Sequence, residues 1–276
     1  MTKTPSITII GHVCIDQNVI DGVSYEKWGS SPMYIANYLQ EKYAVQPSIL
    51  AAYGNDFTKY TPGFHFINKA AGLKTLVYKN IVTNGHRTQY CHNTTDATVP
   101  TITPDVIQTL RTTDIVIVTP MTPHLSTAYV LQILQHVPKE CLKVLLPQGY
   151  MREINDKGSV GMREFIEAPE FLSKFDVLVT SDEDYPNVYE WAAHSTIKHD
   201  PLSIVVTQAE KGAALFVQGR QTNISTIPIS FKDIKNPVGS GDIFSAQLSF
   251  SLYNGFTINE AIRSANEATG ASLRLS

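Results

Sequence analysis

The chain has 276 residues, 43% of them hydrophobic and 17% charged, with a net charge of −3. That length and apolar content allow one large α/β domain or two small ones, each with a buried core. The slight acidity excludes a basic surface built for nucleic acid or for an anionic membrane.

Ile7 to Ile15 is the first strand candidate, broken at Gly11-His12 and ending at Asp16. Its nearly continuous apolar run fits a strand covered on both faces. The run reads as a strand rather than a signal peptide, and no later run is long enough to span a membrane. Cys14, Cys91 and Cys141 are scattered and odd in number, which fits a reducing compartment better than a disulfide framework. A cytoplasmic location is expected.

Asn18 to Trp28 reads as two short runs about Asp21-Gly22, a strong hairpin signal. Gly29-Ser30-Ser31-Pro32 opens a helix running from Pro32 to Tyr43, with Ser31 at the N-cap and Pro32 in the first helical position. Pro47 to Tyr53 is a strand that leads into Gly54-Asn55-Asp56-Phe57, and a helix is expected near Tyr60 to Ala71, its start blurred by Pro62-Gly63. Thr75 to Asn80 and His86 to His92 pair around Asn84-Gly85. Both hairpins are polar at alternate positions, so one face of their sheet is expected to meet water or ligand.

From Pro104 onward helix and strand alternate. Pro104 to Arg111 and Ser126 to His136 are helical, and Phe165 to Lys174 partly so. Asp114 to Val118, Lys143 to Leu146, Asp176 to Thr180 and Ser203 to Thr207 are buried strands, followed by Gly212 to Val217. Ile258 to Leu273 is the last helix. This alternation implies parallel crossovers in an open sheet, with ligands beyond the carboxyl ends of its strands. Asp16, Gly54, Gln148, Ser181 and Gln208 then share the ligand edge.

Asn236-Pro237-Val238-Gly239-Ser240-Gly241-Asp242 is the most informative stretch. It reads as a glycine turn running into a mostly buried helix, with a carboxylate in the first turn. The free N–H groups at such an end bind anions, phosphoryl groups among them. Taken alone, the stretch fits a helix cap as well as a catalytic turn.

The stretch is similar to the Asp-Thr-x-Gly-Ala-Gly-Asp signature of the ribokinase-like, or PfkB, carbohydrate kinase family. Trp28 to Asn37 resembles that family's first signature, a glycine pair followed by a helix. Asp16, Gly54-Asn55-Asp56 and Thr207-Gln208-Ala209-Glu210-Lys211-Gly212 resemble its other landmarks, in order from Ile7 to Ala271. Five departures stand out: Asn236 and Ser240 in the signature, Ser30 in the glycine pair, Ala209 in the nucleotide loop, and Ser181-Asp182-Glu183-Asp184 where the family has Asn-x-x-Glu.

The resemblance implies a three-layer α/β/α sandwich over residues 1–276 with a small β-sheet lid, built from about 17–28 and 75–93. It implies ATP-dependent phosphoryl transfer to a hydroxyl of a sugar or polyol, with Mg2+. Asp242 is then the general base, and the backbone of Gly239, Ser240 and Gly241 the anion hole. Asp16, Gly29, Ser30 and Asn37 meet the substrate, with Arg152 as a further candidate for a phosphate or carboxylate. Thr207 and Gly212 line the nucleotide phosphates, Asn266 lies near the base, and Asp184 holds the metal through water.

Pro147 to Arg152 is similar to the inositol-kinase-like branch. A nucleoside kinase, with Trp28, Tyr25 or Tyr90 stacking on a base, and a non-catalytic sugar sensor are the competing readings. His86, Cys91 and His92 suggest a metal, but on a strand Cys91 faces away from the two histidines. His86, Arg87 and Gln89 are better read as lid contacts to the substrate. A homodimer through the lid is also expected.

Overall fold

The computed structural model describes residues 4–20, 22–83, 86–94, 99–166, 169–230, 234 and 238–275. Its main sheet joins β1 (Ile7–His12), β4 (Ser48–Ala52), β5 (His65–Phe66), β8 (Ile115–Thr119), β9 (Leu142–Leu145), β12 (Val177–Ser181), β13 (Ser203–Thr207), β14 (Ala213–Val217) and β15 (Arg220–Ile224). The spatial order is β15-β14-β13-β12-β9-β8-β1-β4-β5. Strands from β5 to β13 run parallel, and β13, β14 and β15 close one edge antiparallel.

The apolar strands are continuous because both faces of the sheet are covered. Ile9, Ile49, Ile117 and Val205 pack into one core, against α1 (Ser31–Tyr43), α6 (Ser240–Tyr253) and α7 (Ile258–Leu275). Their neighbours Ile10, Leu50, Val116 and Val206 pack into the other, against α2 (Pro104–Leu110), α3 (Thr127–Leu134), α4 (Pro169–Leu172) and α5 (Val188–Lys198). Two-residue periodicity thus feeds two cores, and each fully buried aliphatic contributes about 1.5–3 kcal/mol. The three layers are those the sequence implies. Among the described residues, no helix is long and apolar enough to cross a membrane.

The lid is a separate four-stranded sheet, ordered β3-β2-β6-β7, of β2 (Cys14–Ile20), β3 (Val23–Gly29), β6 (Leu76–Thr83) and β7 (His86–His92). The first strand candidate is therefore two strands, one in each sheet, separated at Val13. Asp16 lies within the lid rather than after a main-sheet strand. A short hairpin of β10 (Arg152–Ile154) and β11 (Val160–Met162) packs beside it.

Three local expectations are corrected. No helix forms over Tyr60 to Ala71: a 3₁₀ turn at Asn55–Tyr60 is followed by turns and β5. Pro62-Gly63 breaks the segment, and Phe66 is drawn into an aromatic cluster with Tyr53 and Phe57. Ser30, not Ser31, occupies the N-cap of α1. Helix α5 and strand β15 had not been recognised, because their exposed faces are polar and irregular. Asn236 and Pro237 lie outside the described residues.

Candidate active site

The lid and the carboxyl ends of the sheet strands enclose a cavity of about 620 Å³, the size of a small-molecule site. From the lid come Asp16, Tyr78, Asn80 and Gln89. Asp16 sits opposite Tyr78, and Asn80 opposite Gln89, so alternation presents all four from one face. Gln89 Nε2 donates to Asn80 Oδ1 at 2.9 Å, and Asn80 Nδ2 to Asn18 Oδ1 at 3.0 Å. Gly29 does not line the cavity. It packs against Asp16 so closely that a Cβ there would overlap the carboxylate.

The floor is the turn into α6. Gly239 caps the helix with φ 85, a left-handed conformation glycine adopts without strain. Its carbonyl receives the first helical bond, from Ile243 N–H at 2.9 Å. That leaves the N–H groups of Ser240, Gly241 and Asp242 without helical partners. Asp242 is partly buried in the first turn. Burial raises its pKa to about 6; a hydrogen bond from Ser31 and the Arg152 charge oppose the rise, and Asp16 and Asp184 add to it. Ser31 thus serves the carboxylate instead of capping α1.

Tyr34 of α1 also lines the cavity. A Cβ on Gly239 would lie 2.7 Å from its ring, and Trp28 packs on it with ring centroids 5.1 Å apart. Asn37, three residues on, does not line the cavity: each helical residue advances ~1.5 Å, so it stands ~4.5 Å further along the axis.

Arg152 begins β10, just after the 3₁₀ turn at Pro147–Met151. Its guanidinium lies 5.2 Å from the centre of the Tyr78 ring, and Nη1 donates to the Tyr78 hydroxyl at 3.3 Å and to Met121 O at 3.4 Å. Tyr78 donates to the same carbonyl at 2.7 Å. Met121 N–H in turn donates to His12 Nδ1 at 3.2 Å. Burial, with repulsion from His124, lowers the His12 pKa to about 3, so its ring stays neutral and able to accept.

The other half of the cavity lies at the ends of β12 and β13. Thr207, Gly212 and Asn266 all line it. Thr207 Oγ1 donates to Thr180 O at 3.3 Å, and Asn266 Nδ2 to Ile224 O at 3.4 Å. Gly212 has φ 99 and lies tight against the Ile224 carbonyl. Asp184 Oδ1 accepts from Gln148 Nε2 at 2.9 Å, and Oδ2 from Thr180 Oγ1 at 3.0 Å and Ser181 N–H at 2.9 Å. Ile227, Ile229, Ile234, Gly270 and Leu273 give this half of the cavity an apolar lining, with Ile229 packed beside Gly270.

Six carboxylates line the cavity, Asp16, Asp182, Glu183, Asp184, Glu210 and Asp242, and among the described residues Arg152 is the one cation facing them. Among those residues, no group of three or more His, Cys, Asp or Glu is placed to hold a metal ion. Gly54 and Gln208 are not in the lining; Gly54 N–H donates to Thr75 Oγ1 and Gln208 Nε2 to the Tyr189 hydroxyl. The side chains of His86 and Arg87 lie outside the described residues.

Sequence reasoning missed Tyr34, Tyr78 and Asn80. The signal for the last two was present in the two-residue spacing along β6. Tyr34 had no comparable signal, because an aromatic on a helix reads as core.

The sequence matches no family model and no curated protein. Solved structures do resemble it. A pyrophosphate-dependent kinase in the ribokinase family, complexed with a pyrophosphate analog and myo-inositol, is 17% identical, with 97% of this chain and 95% of that one covered at a TM-score of 0.76. Ribokinase from Arabidopsis thaliana, complexed with ribose and ATP, is 15% identical, with 99% and 93% covered at 0.74. Adenosine kinase from Schistosoma mansoni, in complex with 2-fluoroadenosine, is 12% identical, with 99% and 96% covered at 0.79. The likeness covers 97–99% of this chain, and the chain has the ribokinase-like fold.

Proposed function

We propose that this protein is a kinase that transfers the terminal phosphoryl group of ATP to a hydroxyl of a small sugar or polyol. The observation that carries the reading is Asp242, set in the first turn of α6 beside unpaired N–H groups, on the floor of a cavity that the lid roofs with Asp16. Asp16 orients the acceptor. Asp242 takes the proton of the reacting hydroxyl as its oxygen bonds to phosphorus and the bond to ADP breaks. The backbone of Gly239, Ser240 and Gly241 meets the charge on the phosphoryl oxygens in transit.

Thr207 and Gly212 stand beside the donor phosphates. The apolar lining about Gly270, shared with Asn266, suits a nucleobase, which favours ATP over pyrophosphate. Among the described residues no three acidic groups are placed to bind a metal directly, so Mg2+ would come with the ATP phosphates, and Asp184 would meet it through water. When bound, Mg2+ supplies the neutralising charge that the carboxylate-rich wall lacks.

The lid presents amides and a carboxylate, which suit a ring rich in hydroxyls. Trp28, the strongest candidate for stacking on a base, packs instead on Tyr34 and Phe64, and neither Tyr25 nor Tyr90 is in the lining. A polyol is therefore preferred to a nucleoside. Product release with myo-inositol, ribose and adenosine, each with ATP or pyrophosphate, tests the reading. Turnover with adenosine alone would make it a nucleoside kinase, and turnover with pyrophosphate alone would overturn the ATP assignment. Binding without any turnover would make it a sensor. A homodimer through edge strand β3, where Val23 and Tyr25 are exposed, is proposed as well, and light scattering measures its mass.

A further inference from the structure

Among the described residues, two buried hydroxyls belonging to the cavity wall have no hydrogen-bond partner. Ser30 Oγ and the Tyr34 hydroxyl are both buried and unpaired, and both residues line the cavity. Such a group destabilises a fold, because it has lost water and gained nothing. Ser30 carries a second cost. Its backbone, at φ 94 and ψ 151, lies in a region that glycine enters freely and other residues seldom do. A glycine at that position would relieve both.

The two residues lie one helical turn apart, with Tyr34 N–H donating to Ser30 O at 3.2 Å, so they share a face of α1. Trp28 and Gly239 both pack against the Tyr34 ring. Asp16 and Asp242 line the same cavity as Ser30 and Tyr34.

We propose that Ser30 and Tyr34 form a hydroxyl pair that receives one oxygen of the acceptor, other than the oxygen that reacts, and so helps set which acceptors are bound. This rests on reading the cavity as a kinase acceptor site. Unpaired and strained groups persist where a ligand completes them.

The test uses S30G and Y34F in the full chain, with calorimetric titration of myo-inositol and ribose and steady-state kinetics for ATP. Both variants should melt at a higher temperature than the wild type. Each should bind the acceptor roughly tenfold more weakly, the worth of about one hydrogen bond, with the KM for ATP unchanged. Because the pair shares one oxygen, the double variant should lose less than the product of the single losses. Variants that gain stability and keep acceptor affinity would show a merely structural pair and overturn the proposal. So would equal losses for ATP and acceptor, or a wild type that binds neither myo-inositol nor ribose. Acceptor binding without turnover in the wild type would sink the kinase reading, while weaker binding by both variants would still support the pair.

Discussion

Replacing Asp242 with Asn should make the protein more stable and nearly inactive, and the two effects should depend on pH differently. Folding raises the carboxyl's pKa from 3.8 to about 6, chiefly by burial. The native state therefore binds this proton more tightly than the unfolded chain does. Stability linked to the group is highest below the unfolded value, falls as pH rises through the window between the two, and is level above about 6. The shift of about 2 units corresponds to at most about 3 kcal/mol. The amide is neutral at every pH and mimics the protonated acid. Asp242→Asn should thus exceed the wild type by up to ~3 kcal/mol at pH 8, and the gap should shrink through pH 4.5 and close below the unfolded value. Turnover at pH 8 should fall by roughly 10²–10⁴. Urea melts at several pH values, paired with kinetics on the same samples, measure both. Near-normal turnover would remove Asp242 from the role of base. A stability difference independent of pH would refute the burial argument.

The wild type should show an acidic limb in kcat/KM, falling about tenfold per pH unit below pH ~6, as the base becomes protonated; a flat profile down to pH 5 would contradict the assignment. Gly29→Ala should displace the Asp16 carboxylate, raising the acceptor KM more than tenfold and costing about 1–3 kcal/mol by overpacking, which a melt and a KM determination check together. Gly239→Ala forces a side chain into φ 85 and against the Tyr34 ring. It should cost at least ~1 kcal/mol and lower kcat, and an unchanged kcat would argue against the anion hole.

The layers of the fold were legible because both faces of the sheet are buried. Val116 and Val118 serve one core and Ile115 and Ile117 the other, so the strands read as unbroken apolar runs. The lid was legible from its two hairpins, whose polar alternation marks a face turned to the cavity. Helix α5 was not, since Ser195 and Thr196 are among its buried residues and Ile197 is 62% exposed; its pattern contradicts its burial. At the site, Asp242 and Asp16 stood out through their place in the resemblance, and both line the cavity. Asn37 stood out in the same way but is not in the lining. It is a polar residue in a helix, but one turn too far along α1, and Tyr34, which looked like core, lines the cavity. Distances along a helix axis are not visible in a motif.

The carboxylate-lined wall, in which Arg152 is the one cation among the described residues, has a consequence for traffic through the cavity. Bare polyanions such as inorganic phosphate or sulfate meet a repulsive field, so they are poor competitors for the donor site unless a divalent cation accompanies them. On the proposed reading, an uncharged acceptor does not meet this repulsion, whereas its phosphorylated form would, which favours release of the product without altering the equilibrium of the reaction.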